Sequence, residues 1–337
     1  MLRQVLVGPS GLRSSEIALG TMTFGDSRAW GCTASEAEAI MQCFVEAGGT
    51  TIDTAPNYGD GTSEEIVGSF ARTCRDELIL STKFTAASSA HPLAGGNSRR
   101  TMMQSVEGSL RRLQTDRIDL LWLHFWDGTT PMEEILRGVD DLVSSGKILY
   151  FGISDTPAWL ISRAATLAEQ QRRAPVIGVQ LEYNAAVRGV ERDLLPMADA
   201  LNLAVFCWGP LAAGALAGGA TPQRQPGDRI PPPLREVRNA IIEIADASGE
   251  TPRRLALRWL MQSGTQRIPI VGSRTADQLT QILKDVATPI DAETFAKVDS
   301  LASAGALFPG PLIRSSYLRK FAMGAPDRFT TPIAPRC

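Results

Sequence analysis

The sequence is poor in the residues that build metal centres and disulfide frameworks. It has only two histidines, His91 and His124, which is too few for a histidine-rich metal site. Its five cysteines are odd in number, and no two of them have C-x-x-C spacing. This pattern is typical of reduced thiols in a cytosolic protein. We therefore expect neither a bound metal nor a disulfide framework.

Signals for membranes and nucleic acids are also missing. No apolar run approaches the roughly 18 residues that a spanning helix needs, and Met1–Gly20 lacks the basic and apolar regions of a signal peptide. The formal net charge of −2 gives no electrostatic reason to bind nucleic acid or an anionic membrane. No Gly-x-Gly-x-x-Gly opens a strand–helix unit, so a Rossmann fold has no support. We expect a cytoplasmic protein without nucleic-acid or membrane partners.

Short apolar segments alternate with longer amphipathic ones along the chain. Eight segments are short, often β-branched and bounded by turn residues, which predicts strands: Glu16–Leu19, Thr50–Asp53, Leu78–Lys83, Ile118–His124, Leu149–Ile153, Ile177–Leu181, Leu203–Cys207 and Ile268–Val271. Apolar residues at helical spacing predict six helices: Ser35–Ala47, Ser98–Leu113, Met132–Ser145, Pro157–Ala168, Pro232–Ala247 and Asp277–Val286. Eight strands that alternate with helices predict an α/β fold, a (β/α)8 TIM barrel.

No linker divides the chain, and we expect residues 1–337 to form one domain. Arg3–Ser15 contains Pro9, Ser10 and Gly11 between apolar pieces, which predicts an N-terminal hairpin (1–15) below the barrel (16–305). The proline-rich tail, residues 306–337, is expected to fold over the barrel mouth. Gly214–Pro233 is rich in Gly and Pro and is predicted to be a long functional loop near that mouth.

Four polar side chains come at or just beyond the ends of successive predicted strands. Asp53 ends the second strand and Tyr58 follows shortly after it, while Lys83 ends the third and His124 the fourth. Each of these residues alone has a common structural explanation, such as a cap, an ion pair or a core position. Barrel strands meet at one mouth through their C-terminal ends, where barrel enzymes have their active sites. The four together therefore predict an active site.

This set of side chains fits the reduction of a carbonyl group, which needs a hydride on carbon and a proton on oxygen. Tyr58 can supply the proton, and the ammonium of Lys83 can stabilise the phenolate that remains. Asp53 can pair with Lys83 and keep it charged. His124 can donate a hydrogen bond that orients and polarises the carbonyl oxygen.

Several motifs in this order resemble the aldo-keto reductase family over essentially the whole chain. They are ALGTMTFG (18–25), IDTAPNY (52–58), STK (81–83), IDLLWLH (118–124), GISD (152–155), WGPL (208–211) and IVGSR (270–274). The resemblance implies a catalytic tetrad of Asp53, Tyr58, Lys83 and His124, with Tyr58 as the proton donor. Trp208 stands where many relatives have Tyr, which is typical of the branch similar to potassium-channel β-subunits. Tetramers and octamers occur in that branch, so the resemblance also implies a homo-oligomer.

The resemblance further implies a nicotinamide cofactor, NADPH with NADH as the alternative. Ser154 and Gln180 are expected to hold the carboxamide, Trp208 to stack on the ring, and Arg274 to pair with the 2′-phosphate. Asp155 replaces the Asn of many relatives and can accept the amide protons. The full expected set is Gly20, Thr21, Met22, Asp53, Ser154, Asp155, Gln180, Trp208, Gly209, Pro210, Leu211, Gly214, Gly272, Ser273, Arg274, Gln278 and Gln281.

Aromatic residues near the predicted mouth favour a bulky or apolar carbonyl substrate. The expected substrate contacts are Phe24, Tyr58, Phe84, His124, Phe125 and Trp126. For Phe125 and Trp126, packing beneath the next loop is an equally good interpretation. Only five of the 34 basic residues are lysines, a bias typical of GC-rich genomes. Members of the resembled family in GC-rich bacteria often reduce ketones of secondary metabolites, so the resemblance implies a ketone such as a polyketide or deoxysugar, with a role in antibiotic biosynthesis.

Two other functions are compatible with a barrel that carries this set of residues. The first is a regulatory subunit that holds the nucleotide tightly, turns over poorly and reports redox state; the complete tetrad argues against it. The second is a Schiff-base enzyme with Lys83 as the nucleophile. That chemistry needs a lysine of depressed pKa, whereas a neighbouring Asp53 is expected to raise the pKa of Lys83.

Overall fold

The strands and their order determine where the functional residues of this chain lie. The computed structural model describes residues 1–27, 29–219, 230–264 and 266–305. Strands β1 (Gln4–Leu6) and β2 (Arg13–Ser15) pair as an antiparallel hairpin. Eight further strands follow: β3 (Ala18–Gly20), β4 (Thr51–Asp53), β5 (Ile79–Phe84), β6 (Ile118–Leu123), β7 (Ile148–Ser154), β8 (Val176–Glu182), β9 (Ala204–Trp208) and β10 (Arg267–Val271).

The eight strands β3 to β10 form a closed barrel in which every neighbouring pair is parallel. Their order around the wall follows the sequence, and β10 closes the barrel by pairing with β3. Each predicted strand is present, and its ends differ from the prediction by at most two residues. The predicted (β/α)8 barrel is confirmed.

Helices surround the barrel and cover its outer face. The described helices are α1 (Ala34–Glu46), α2 (Thr62–Ala71), α3 (Arg99–Arg112), α4 (Met132–Ser144), α5 (Ala158–Gln170), α6 (Leu194–Ala200), α7 (Pro232–Ser248), α8 (Pro252–Gln262), α9 (Ala276–Val286) and α10 (Ala292–Asp299). Six of them match the predicted helices. The other four, α2, α6, α8 and α10, were not predicted from the sequence: α6 and α10 span only about two turns, and α8 buries Arg258 on the face that should be apolar.

A bulky tryptophan fills the interior of the barrel. Trp122 on β6 is fully buried and meets Phe206 on β9 edge-to-face, with 5.2 Å between the ring centroids. Gly152 on the neighbouring strand β7 leaves room for the indole ring of Trp122, because a Cβ at this position would lie 2.2 Å from the ring. Inward side chains therefore form a packed core, and the open space lies above them at the C-terminal ends of the strands.

The N-terminal hairpin closes the other end of the barrel, as predicted. Val7 is fully buried and packs against interior residues such as Ile177 and Ala204 at the starts of β8 and β9. The backbone N–H of Gly8 donates to Oε1 of Gln266 over 2.8 Å. A side chain at Gly8 would collide with the carbonyl of Ile177, 1.9 Å from an added Cβ, so the close approach requires glycine.

Part of the predicted loop and all of the predicted tail lie outside the described residues. Of Gly214–Pro233, residues 214–217 end a short 3-10 segment, Ala212–Ala217, and residues 232–233 begin α7. Residues 220–229 and 306–337 are not described. Within the described ranges, every helix is too short or too polar to cross a bilayer.

Candidate active site

Two adjoining cavities open at the C-terminal ends of the barrel strands. The first has a volume of about 490 Å³. It is lined by Gly20, Met22, Thr23, Asp53, Asn57, Tyr58, His124, Ser154, Asp155, Gln180, Glu182, Val187, Trp208, Gly209, Ala212, Ala213, Leu234, Ile270 and Gly272. The second, of about 380 Å³, lies beside it and shares wall residues such as Gly209 and Gly272. We call them the inner and the outer cavity.

A buried lysine joins Asp53 and Tyr58 of the predicted tetrad at the base of the inner cavity. Lys83 Nζ lies 2.6 Å from Asp53 Oδ2 and donates to the hydroxyl of Tyr58 over 3.2 Å and to the carbonyl of Thr54 over 2.9 Å. The side chains of Lys83 and Asp53 are 1% and 3% exposed. All three N–H donors of the ammonium thus have acceptors, which a buried charge requires.

The charge state of Lys83 follows from these neighbours. Burial alone would lower the pKa of the lysine, but attraction to Asp53 and Tyr58, with their hydrogen bonds, outweighs burial and raises the pKa. Lys83 is therefore an ammonium at neutral pH. A Schiff-base nucleophile needs the free amine, and this environment opposes it.

Asp53 is held by more than its ion pair. Its second oxygen, Oδ1, accepts hydrogen bonds from Ser81 Oγ over 2.8 Å and from Gln180 Nε2 over 3.0 Å. β4, β5 and β8 each contribute one of these side chains, so three strands of a rigid wall fix the carboxylate. The geometry suits a residue that must hold an ammonium in one place.

Tyr58 is carried by a tight loop between β4 and α2. It opens the short 3-10 segment Tyr58–Gly61, in which the three residues after the tyrosine have φ angles of 58°, 54° and 98°. Two of those three are glycines, which adopt such angles without strain. Ser63 joins the loop to its start, because its hydroxyl lies 3.0 Å from that of Thr54. Both ends of the loop are thereby tied together, which holds the phenol beside Lys83.

Behind this loop, Glu64 anchors α2 to the barrel. Its carboxylate is fully buried, accepts a hydrogen bond from Thr82 Oγ1 over 2.6 Å and pairs with Arg112 Nε at 2.7 Å. Thr82 precedes Lys83 on β5, and its side chain points to the opposite face of the strand. The inward face of β5 thus positions Lys83, and its outward face holds the segment that carries Tyr58.

His124 lies on the wall of the inner cavity directly after β6. Burial and the nearby charge of Lys83 lower the pKa of His124 to about 4, so the imidazole is neutral at neutral pH. Its Nδ1 atom is buried and has no hydrogen-bond partner in the described part of the chain. A neutral imidazole can donate one hydrogen bond to an uncharged carbonyl oxygen.

Nine of the residues predicted to bind the cofactor line the inner cavity: Gly20, Met22, Asp53, Ser154, Asp155, Gln180, Trp208, Gly209 and Gly272. Trp208 is partly exposed there, and its indole N–H donates to Asp155 Oδ1 over 3.2 Å. Ser154 Oγ is buried without a hydrogen-bond partner among the described residues, as expected of a group that awaits a ligand. Thr21 is placed differently, since its buried hydroxyl donates to the backbone carbonyl of Asp53 over 3.0 Å.

Six residues of the predicted cofactor-binding set line the outer cavity: Gly209, Pro210, Leu211, Gly214, Gly272 and Arg274. Ser273 Oγ beside them is buried and unpartnered within the described ranges. Gln278 accepts from the backbone N–H of Arg274 over 3.0 Å, which fixes that turn at the start of α9. Gln281 is engaged elsewhere, because its Oε1 accepts from Arg253 over 3.2 Å.

The predicted aromatic substrate contacts separate into two groups. Phe24 and Phe84 are buried in the core between strands and helices, and neither is among the cavity-lining residues of the described chain. Side chains alternate along β5, so Phe84 must point outward when Lys83 points inward. Phe125 is 42% exposed, and its ring centroid lies 5.5 Å from that of His124.

Trp126 behaves as the packing interpretation expects. Its indole N–H donates to the carbonyl of Thr130 over 3.0 Å, within the loop that follows β6. Its ring meets Trp159 edge-to-face at 6.1 Å.

Some residues that line the inner cavity were absent from the sequence analysis. Glu182 is the charged one, and Thr23, Asn57, Val187, Ala212, Ala213, Leu234 and Ile270 complete the set. A signal for Glu182 was present, because residues two apart on a strand share a face and Gln180 was already predicted to point inward. Within the described ranges, no three His, Cys, Asp or Glu side chains come together as a metal site.

Comparisons with known proteins agree with this geometry. The profile of the aldo/keto reductase family matches residues 16–303. Norsolorinic acid reductase B of Dothistroma septosporum is 35% identical over 89% of this chain and 80% of its own length. An aryl-alcohol dehydrogenase [NADP(+)] of Phanerodontia chrysosporium is 35% identical over 82% of this chain and 79% of its own length. Norsolorinic acid reductase B of Aspergillus parasiticus is 34% identical over 95% of this chain and 88% of its own length.

Proposed function

The chain belongs to the aldo/keto reductase family, and we propose that it transfers hydride from NADPH to the carbonyl carbon of an aromatic aldehyde or ketone. The observation that carries the proposal is the Lys83 ammonium, which lies 3.2 Å from the Tyr58 hydroxyl and 2.6 Å from Asp53 at the base of a cavity. Tyr58 and His124 line this same cavity, so the phenol and the neutral imidazole face one open space.

Each member of the tetrad has one task in this proposal. Tyr58 gives its proton to the carbonyl oxygen, and Lys83 stabilises the phenolate that forms. Asp53 keeps the ammonium charged and in place. His124 donates a hydrogen bond to the same carbonyl oxygen and thereby fixes which face of the carbonyl group is presented. The nicotinamide supplies the hydride when it is bound.

The cavity walls fit a dinucleotide. Trp208 offers a flat surface for the nicotinamide ring, and the unpartnered hydroxyl of Ser154 can bond the carboxamide. Arg274 on the wall of the outer cavity can pair with a 2′-phosphate, because a guanidinium matches the geometry of phosphate oxygens. The NADP(+) in the name of one relative supports the same preference.

An aromatic substrate is supported by two observations. Phe125 extends an exposed ring beside His124, where a substrate ring can stack. One relative is named an aryl-alcohol dehydrogenase, and others are named norsolorinic acid reductases. The ketone of a secondary metabolite, the potassium-channel-like branch and the homo-oligomer stay predictions from the sequence.

The test begins with fluorescence titration of the purified protein with NADPH and with NADH, followed by a panel of aryl aldehydes and ketones. We expect tight NADPH binding and oxidation of the nucleotide when a carbonyl compound is added. Binding without turnover across the panel would favour the regulatory-subunit hypothesis instead. Failure to bind either nucleotide would refute the proposal.

Tyr58→Phe examines the proton step separately. The variant should bind NADPH as the parent does, because the phenyl ring remains beside Lys83, and turnover should fall by roughly 10²- to 10⁴-fold. Turnover near that of the parent would remove Tyr58 as the proton donor.

A further inference from the structure

Two carboxylates flank the indole of Trp208 on the wall of the inner cavity. Asp155, directly after β7, accepts the indole N–H over 3.2 Å. Glu182, the last residue of β8, is the register partner of Trp208 on β9. Its Oε1 lies 3.8 Å from the position of a Cβ on Gly209, the residue after the tryptophan. Both carboxylates therefore face the space in front of the indole.

These two negative charges have no cation of their own. Lys83, the ammonium at the base of the cavity, is paired at 2.6 Å with Asp53, and His124 is neutral. Asp155 bonds an uncharged indole, and among the described residues the charge that shifts the pKa of Glu182 is that of Asp155. The balance of the charges around the inner cavity is thus two units negative.

The pKa values report the same imbalance. Burial raises the pKa of Asp155, and burial followed by repulsion from Asp155 raises the pKa of Glu182. The charge of Lys83 lowers the pKa of Asp155 but does not outweigh burial. Two groups that repel each other at the wall of a cavity leave a place where a positive charge is favoured.

A second observation points to a ligand at this wall. Ser154, beside Asp155, is 1% exposed, and its hydroxyl, whose nearness to Asp155 lowers the pKa of that carboxyl, makes no well-formed hydrogen bond with any described residue. If the nicotinamide lies against Trp208, as the proposed function holds, its ring sits between the two carboxylates. The oxidised ring carries a positive charge, whereas the reduced ring is neutral.

We propose that Asp155 and Glu182 stabilise the oxidised cofactor over the reduced one and thereby bias the equilibrium at this site toward reduction of the carbonyl. In that direction a C–H bond of NADPH breaks and its hydride passes to the carbonyl carbon, so that the carbonyl is reduced to an alcohol and the cofactor is oxidised to NADP⁺. The Tyr58 O–H bond breaks as its proton passes to the carbonyl oxygen. The same charges then hold NADP⁺ as a tightly bound product. This inference rests on the proposed function.

The size of the effect follows from one unit charge near the ring. At an effective dielectric constant of about 20 and a separation of about 6 to 8 Å, one carboxylate should change the ratio of the NADPH and NADP⁺ dissociation constants by roughly tenfold or more, and by about threefold where solvent screens it. By linkage, the redox equilibrium of the bound cofactor shifts by the same factor. The two carboxylates act in the same direction.

The experiment measures dissociation constants for NADP⁺ and NADPH by calorimetry at pH 8, in the parent and in Asp155→Asn, Glu182→Gln and the double variant. Each substitution keeps the shape and an oxygen acceptor, so the indole bond of residue 155 can persist without the charge. We expect the ratio Kd(NADPH)/Kd(NADP⁺) to fall about three- to tenfold in each single variant and further in the double variant. Glu169→Gln, on the exposed face of α5, is the matched control and should leave the ratio unchanged.

The outcomes separate this inference from the proposed function. A ratio that stays constant while both nucleotides still bind refutes the inference and leaves the function intact. An equal loss of affinity for both forms refutes it too, because it shows that the residues shape the pocket without sensing ring charge. If the parent protein binds neither form, the proposed function itself fails. The single variants test the charges separately, so a folding defect in one leaves the other informative.

Discussion

Replacing Lys83 by Met should separate the structural role of the lysine from its chemical role. The ammonium and the Asp53 carboxylate are 1% and 3% exposed and lie 2.6 Å apart. Removing one member of a buried pair leaves an uncompensated charge and costs about 3 to 5 kcal/mol of unfolding free energy. Asp53 would keep its bonds from Ser81 and Gln180, at 2.8 and 3.0 Å. The cost should therefore lie near about 3 kcal/mol.

The double variant Lys83→Met/Asp53→Asn completes the argument. It removes both charges, so it should recover stability relative to Lys83→Met, with a coupling of about 2 kcal/mol or more between the two sites. Turnover should not recover, because the phenolate of Tyr58 still lacks its ammonium. Both single variants and the double variant should lose roughly 10²-fold or more in kcat.

Urea unfolding followed by tryptophan fluorescence measures the first quantity, and NADPH oxidation with an aryl aldehyde measures the second. Lys297→Met is the matched control, since Lys297 is exposed on α10 and pairs only with the exposed Glu293. It should change stability by less than about 0.5 kcal/mol. Additive losses in the double variant would refute the buried-pair reasoning. Normal turnover in Lys83→Met would refute the role of Lys83 in proton transfer.

Three further predictions follow from the site and the core. The pKa of His124 is about 4 in the fold against 6.5 for an ordinary histidine. The unfolded chain therefore gains a proton first as pH falls from 6.5 to 4, and stability should drop over that window by up to about 3 kcal/mol relative to His124→Gln; parallel pH profiles would contradict this. Arg274→Ala should weaken NADPH binding far more than NADH binding in fluorescence titrations, and an equal loss would exclude a 2′-phosphate contact. Gly152→Ala should cost about 3 kcal/mol or more in urea unfolding, because its Cβ would lie 2.2 Å from the Trp122 ring; Gly189→Ala, which has open space around it, is the control, and similar costs for both would exclude the clash.

The barrel and the positions of the tetrad could be predicted because both depend on short-range patterns of apolar and turn residues in the sequence. Apolar runs bounded by turn residues set the strands, and the direction of a parallel strand sets which end carries Asp53 and Lys83. Facing was harder. Phe84 adjoins Lys83 in sequence, yet strand alternation directs it into the core. The same alternation puts Glu182 on the face of β8 that carries Gln180, since the two residues are two positions apart.

Other features depend on contacts that sequence spacing does not encode. α2 begins after Gly61 in a left-handed conformation and has no side-chain cap, so no start signal marks it. Its position is set by Glu64, whose partners Thr82 and Arg112 are 18 and 48 residues away along the chain. The loop that carries Tyr58 is likewise fixed by long-range hydroxyl contacts, such as that of Ser63 to Thr21.

Barrel closure between β10 and β3 has a consequence for synthesis on the ribosome. β3 cannot pair with β10 until β10, the last strand, has been synthesised. Likewise, Gly8 at the closed end of the barrel cannot form its hydrogen bond with Gln266 until that residue, 258 positions later, has been synthesised. At about 5 to 20 residues per second, the stretch of roughly 60 residues between β9 and β10 takes roughly 3 to 12 s to translate. Throughout that interval β3 and β9 are open sheet edges, which other chains can pair with. Speed of translation through this stretch should therefore govern how much of the protein is recovered in soluble form.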